Sequence, residues 1–311
     1  MSFASDVKKE LTLLLGDECC LKAELSALLR SNSEIFYSQQ HLNVDFHTQN
    51  PTVAKRVFRL LKELYHSEIE LITKKGTQFN KRNTYVIRVT DQAAQIVKDL
   101  ELVAGFSVIQ TIPLELVQAE CDQRAYLRGV FIASGSVNHP RTSNYHLELL
   151  LRDEQHALDV LSLLNTFEYN ARMIERHKGF MIYLKEAEKI SDFLKLIEAN
   201  GSVMKFEDVR IYRDISNNVN RMNNCDIANQ RKTLSAAMQQ LEDIVYIEKK
   251  VGLKKLPRSA YEAAILRKKY PEASIIEIAE KYQKRTGKPI SKSAINHRFR
   301  SIRDMADKLR V

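Results

Sequence analysis

Seven side chains near the C-terminus, Lys292, Ser293, Asn296, His297, Arg298, Arg300 and Arg303, combine the groups that read nucleic acid. An amide pairs bidentately with adenine and an arginine with guanine, while lysine, serine and further arginines meet phosphate. All seven lie in "PISKSAINHRFRSIRDMADKL", residues 289–309. Helical spacing gathers Ala294, Ile295, Phe299, Ile302, Ala306 and Leu309 on one stripe and sets the polar groups opposite, with Arg298 at the edge. His297 has no cysteine or second histidine in helical reach, which favours a base or phosphate contact over catalysis or metal ligation. A plain solvated basic face has a similar composition, so the preceding elements must decide.

Two helices come before it. The first is expected from about Ser259 to Tyr270, stopped by Pro271. The second starts at Ser274, where Glu277 three residues later completes a capping box. Gly287 and Pro289 punctuate a short turn, and Ser291 caps the polar helix. A capped helix, a short turn and a basic helix is the pattern of a helix-turn-helix whose last helix enters the major groove.

The charge distribution agrees. Residues 249–311 hold 18 lysines and arginines against 6 acids, whereas the rest of the chain is slightly acidic, so the whole excess of +9 comes from the last fifth. Such asymmetry points to an appended module for a polyanion. The 311 residues suggest two domains, and 44% hydrophobic with 28% charged residues is ordinary globular composition. No stretch is apolar enough to span a membrane, and the charged N-terminus does not read as a signal peptide, so the expected location is cytoplasmic and nucleoid-associated. Cys19, Cys20, Cys121 and Cys225 show no CxxC spacing, which argues against a metal knuckle or a disulfide framework. No cofactor or metal is expected.

The first two hundred residues repeat. "ELSALLRSNSEI" (24–35) and "AYLRGVFIASGSVN" (125–138) are both apolar helices ending in small polar residues. With Leu25 set against Leu127, the segments 41–65 and 145–169 each read strand then helix, as do 85–103 and 180–199. Two tandem copies, about 20–104 and 122–200, give an α+β domain with a pseudo-two-fold axis. Gly129, inside a helix, costs about 1 kcal/mol relative to alanine, which close approach of a second helix would offset. Pairing of the two helices through Gly129 and Ala27 is favoured over each being a core helix of its own half.

Helix pairs followed by strand–helix–strand–helix resemble the LAGLIDADG homing-endonuclease fold. That resemblance places the motif on "LSALLRSNS" (25–33) and "LRGVFIASG" (127–135), with Asn32 and Ser134 where metal-binding acids would stand. A neutral amide and a hydroxyl do not supply the anionic oxygens that Mg²⁺ prefers, so no catalytic residues are expected. The whole chain resembles the WhiA family, on "YLRGVFIASGSVNHPRTSNYHLEL" (126–149), "RMNNCDIANQRKT" (221–233) and "PISKSAINHRFRSI" (289–302). The resemblance implies a degenerate LAGLIDADG domain fused to a helix-turn-helix, in a bacterial regulator of sporulation, cell division and chromosome segregation.

The expected organisation is a repeat domain over 1–215, a mostly helical linker over 216–256 and a DNA-binding domain over 257–311. The linker begins Asn-rich, and "RMNNC" reads as capping and turn chemistry or as a functional loop. Proteolysis near 216–226 is expected to separate the folded parts. Lys74, Lys75, Lys81 and Arg82 in the first copy, and Arg172, Arg176, His177 and Lys178 in the second, lie about the inter-strand turns. In a nuclease of this fold they would face DNA, but Glu68, Glu70, Glu148 and Asp153 dilute them. The expected partners are duplex DNA through the C-terminal helix and, through the repeat domain, either a protein co-regulator or a weak retained grip on DNA. A metal-dependent endonuclease and a non-specific polyanion binder are the competing readings.

Overall fold

The computed structural model describes residues 2–38, 41–76, 83–105, 107–142 and 144–310. They form two compact units, Met1–Arg213 and Asp214–Val311.

The first unit repeats one order of elements. After α1 (Phe3–Leu11), the first copy runs α2 (Glu18–Asn32), β1 (Ser33–Ser38), β2 (His41–Thr48), α3 (Pro51–Tyr65), β3 (Ile69–Lys74), β4 (Thr84–Val89) and α4 (Ala93–Asp99). A short hairpin, β5 (Val103–Ala104) and β6 (Ser107–Val108), leads to the second copy. That copy is α5 (Glu120–Ser134), β7 (Gly135–Val137), β8 (Leu147–Leu151), α6 (Glu154–Thr166), β9 (Arg172–Arg176), β10 (Gly179–Leu184) and α7 (Ala187–Leu196). The sheets are antiparallel with matching orders, β1-β2-β4-β3 and β7-β8-β10-β9. Alternation in β2 and β4 sends Val44, Phe46, Ile87 and Val89 to one core, and in the second sheet Leu147, Leu149, Ile182 and Leu184 do the same. Asn50 and Asp153 cap the helices that follow β2 and β8, each side chain accepting from a first-turn N–H.

α2 and α5 pack against each other at the centre. A β-carbon built on Gly129 would sit 2.8 Å from the Ala27 Cβ and 2.5 Å from the Glu24 carbonyl oxygen, so only glycine permits this approach. The predicted pairing of the two helices is therefore present. Both are buried on nearly every side, and a single hydrophobic core runs through the two copies.

Helix α8 (Asn200–Lys250) starts in this unit, with Val203 and Phe206 in its core. Glu10 of α1 caps its start, accepting from the Gly201 and Ser202 N–H groups and from the Ser202 hydroxyl at 2.6–2.9 Å. The Asn-rich stretch around 217–224 is helical, not a turn. No glycine or proline occurs from Ser202 to Val251. Asparagine costs a helix only about 0.7 kcal/mol per residue, too little to break a ladder continued on both sides.

The second unit holds the rest of α8, then α9 (Arg258–Lys269), α10 (Ile275–Thr286) and α11 (Lys292–Arg310). Its core takes Ile244, Ile247, Leu253 and Leu256 from the stretch read as linker, beside Ala263, Ile278, Ile295, Phe299 and Ile302. The linker's last turns are thus part of this unit because their apolar stripe needs the cover of the three helices.

Candidate nucleic-acid interface

α11 is held by the local chemistry its sequence implies. The Ser274 hydroxyl accepts from Glu277 N–H at 3.2 Å while the Glu277 carboxylate accepts from Ser274 N–H at 2.6 Å, closing the capping box of α10. Backbone and hydroxyl hydrogen bonds at Ser274 hold the Glu277 carboxyl below the usual range. Gly287 ends α10 at φ +68°, a left-handed conformation suited to glycine, and the Ser291 hydroxyl accepts from Ala294 N–H at 3.2 Å to start α11. Ile295, Phe299, Ile302 and Ala306 are buried, which turns Lys292, Ser293, His297, Arg300 and Arg303 outward as exposed groups, with Asn296 half-buried. Arg298 is engaged differently. Its guanidinium lies 4.3 Å from the centre of the Tyr282 ring on α10 and is half-buried there.

Sequence reasoning missed Arg267. Its fully buried guanidinium donates to Gln240 on α8 at 2.9 and 3.1 Å and to the carbonyls of Tyr270, Pro271 and Ala273, and lies over Phe299. Burial lowers its pKa. This one side chain ties the α9–α10 turn to α8 and to the middle of α11.

In the first unit, Asn32 and Ser134 end the paired helices. The Asn32 amide donates across the pair to the Ala133 carbonyl at 3.2 Å, and the Ser134 hydroxyl donates back to Val130 at 3.1 Å. Asn32 and Ala133 line a cavity of about 930 Å³ together with Lys8, Lys9, His47 and Arg152. Burial lowers the Lys8 pKa to about 8. Among the described residues, this lining holds no carboxylate. A cation-lined cavity with amide and hydroxyl groups at the helix ends is poor ground for Mg²⁺.

On the sheets, three basic side chains lie beside acids. Arg88 makes a bidentate pair with Asp45 at 2.7 and 2.8 Å, His47 lies 3.5 Å from Glu34, and His146 3.2 Å from Glu148. Lys74, Lys75, Arg172, Arg176, His177 and Lys178 are exposed; Lys81 and Arg82 lie outside the described residues.

The centre of the α2–α5 pair holds groups that the sequence did not announce. Glu24, fully buried, accepts from Arg56 at 2.6 and 2.9 Å and from Arg128 at 2.9 Å; Arg128 also pairs with Glu198. Tyr126 and His156 share a buried hydrogen bond of 2.9 Å. Burial, then the nearby Arg30 charge, lowers the His156 pKa to about 3. At the opposite ends of the two helices from Asn32 and Ser134, Cys19, Cys20, Cys121 and Asp122 bring their donor atoms within 4.8 Å of one another. The spacing argument against a metal group looked for ligands along one segment, but these come one pair from each copy. The Leu25–Leu127 register, extended back one and a half turns, is the signal that finds them.

Comparison with known proteins accounts for the whole chain. Residues 18–103 match the WhiA N-terminal LAGLIDADG-like domain, 123–216 the WhiA LAGLIDADG-like domain and 219–306 the WhiA C-terminal HTH domain. The chain is 46% identical over 312 residues to the probable cell division protein WhiA of Bacillus cytotoxicus, covering 100% of this chain and 98% of the relative. The same identity and coverage hold for the protein of that name from Bacillus cereus strain AH187. Its fold matches full-length DUF199/WhiA from Thermatoga maritima with a TM-score of 0.62 at 22% identity, over 99% of both chains. The N-terminal LAGLIDADG domain of DUF199/WhiA matches with a TM-score of 0.51 at 22% identity, over 63% of this chain and 90% of that one. With 46% identity from end to end and three domain matches in order, the chain belongs to the WhiA family.

Proposed function

We propose that this protein is a sequence-specific DNA-binding regulator of transcription that does not cut DNA and that acts in cell division, with sporulation and chromosome segregation as further processes implied by the family. The observation that supports it most is the exposed face of α11, where Lys292, Ser293, His297, Arg300 and Arg303 project from a helix capped by Ser291 and seated on a buried apolar stripe. The N-terminal half of such a helix reads base edges and its later arginines reach phosphate. Relatives at 46% identity bear the name probable cell division protein WhiA, which supports the process. The repeat domain, where Arg88 on the first sheet is already engaged by Asp45, serves as a scaffold for a protein co-regulator in this reading.

The test is a titration of sites recovered by chromatin immunoprecipitation against scrambled duplexes, at two salt concentrations. A regulator of this kind binds its own sites at least about 10³-fold more tightly than scrambled DNA. Equal affinity, with a steep salt dependence on both, would assign the tail to polyanions in general.

A further inference from the structure

We propose that Cys19, Cys20, Cys121 and Asp122 form a binding site for a thiophilic divalent cation of tetrahedral preference, with zinc the ion their donors fit best. Three thiols and one carboxylate, two from each copy of the repeat, bring one donor atom each to within 4.8 Å of the others. A tetrahedral site with metal–sulfur bonds near 2.3 Å needs donors about 3.8 Å apart, so a contraction of about 1 Å closes the shell. The Cys121 Sγ already lies 3.7 Å from the Asp122 Oδ1.

Position favours a cation-bound thiolate cluster. Cys19 and Cys20 are the second and third residues of α2, and Cys121 and Asp122 hold the same places in α5. Two helix N-termini meet there, and each stabilises negative charge in its first turn. In the repeat register Cys19 corresponds to Cys121 and Cys20 to Asp122, so the four donors are related by the pseudo-two-fold axis. Cys20 and Asp122 are buried and held by rigid helical backbone, while Cys19 and Cys121 are exposed and give an ion its entry.

The donor set selects the ion. Mg²⁺ and Ca²⁺ take oxygen ligands and find one carboxylate here, whereas sulfur-rich tetrahedral sites suit zinc. Zinc binds the thiolate form, and three thiolates with one carboxylate around one dication leave a complex of charge −2.

The experiment titrates reduced, metal-free, full-length protein with cobalt(II) chloride. One equivalent is expected to bring thiolate-to-cobalt charge transfer in the near ultraviolet and tetrahedral ligand-field bands in the visible, and one equivalent of zinc chloride should erase both. Cys121→Ser should lower the charge-transfer intensity by about a third or weaken cobalt binding at least tenfold, and Asp122→Asn should shift the visible bands. Cys225→Ser, on α8, should change nothing. Alkylation of the wild-type chain gives a readout independent of any variant: zinc should protect the exposed Cys19 and Cys121 from iodoacetamide and leave Cys225 reactive. Cobalt spectra without a thiolate band, a Cys121→Ser protein with unchanged band intensity and cobalt affinity, or thiols alkylated equally with and without zinc would overturn the proposal. So would formation of a Cys19–Cys121 disulfide in the presence of equimolar zinc.

Discussion

The side-chain amide of Asn32 donates to the carbonyl of Ala133 at 3.2 Å, so the end of one central helix is tied to the end of the other by a neutral hydrogen bond. Purified protein is accordingly expected to leave supercoiled plasmid intact with Mg²⁺ or Mn²⁺. The pair Asn32→Asp and Ser134→Asp should stay inactive as well, because Lys8, Lys9, His47 and Arg152 line the cavity around the restored acids. Metal-dependent nicking by the wild-type chain, lost when Asn32 or Ser134 is changed, would restore the endonuclease reading.

Gly129→Ala should destabilise the first unit by about 1–3 kcal/mol, although alanine is the better helix former by about 1 kcal/mol. The added carbon meets the Glu24 carbonyl oxygen at 2.5 Å, and backbone cannot rotate out of the way. Combining it with Ala27→Gly removes only the 2.8 Å contact and should restore part of the loss. A urea midpoint for Gly129→Ala equal to that of the wild type would contradict the close approach.

His156 makes stability depend on pH with a definite sign. Its folded pKa is lowered to about 3 from an ordinary value of 6.5, so between these values the unfolded chain takes up a proton that the folded chain refuses. Stability from this group is complete above pH 6.5 and falls as pH drops toward 3, by up to about 1.4 kcal/mol per unit. His156→Gln, which keeps a polar partner for Tyr126, should flatten the stability curve between pH 6.5 and 4. Parallel curves for the two proteins would show that His156 does not set the slope.

On DNA, Asn296→Ala should cost about 1–3 kcal/mol on a specific site and little on scrambled duplex. Arg303→Ala should weaken both alike and lower the salt slope by about 1. Ile295 and Phe299 are buried, so changing either should unfold the second unit instead of altering specificity. If Asn296→Ala and Arg300→Ala bind specific sites as tightly as the folded wild type, recognition lies elsewhere.

The repeat, the helix pair and the polar face of α11 were legible because each is written in local periodicity and caps. The charges at the centre were not. Glu24 and Arg128 sit in sequences where a charged residue reads as a solvated face, and only the burial of both helices on nearly every side makes them a buried ion pair. The cysteine cluster escaped for a related reason, since its ligands belong to different copies. Arg267 reads as one of three consecutive basic residues, yet it is buried while Lys268 reaches Glu248 at the surface. In α8, asparagine was given more power to stop a helix than its propensity holds.

The Ala27–Gly129 contact also bears on what the two copies can assemble with. In the repeat register these residues are equivalents, yet only one of them can carry a β-carbon. Two first copies placed together would set alanine where only glycine fits, and would offer Glu24 a serine, Ser26, in place of Arg128. Two second copies would leave a gap at paired glycines and Arg128 facing Tyr126 instead of its carboxylate. Neither copy is its own complement. The contact surface therefore fits one copy to the other better than it fits either copy to itself.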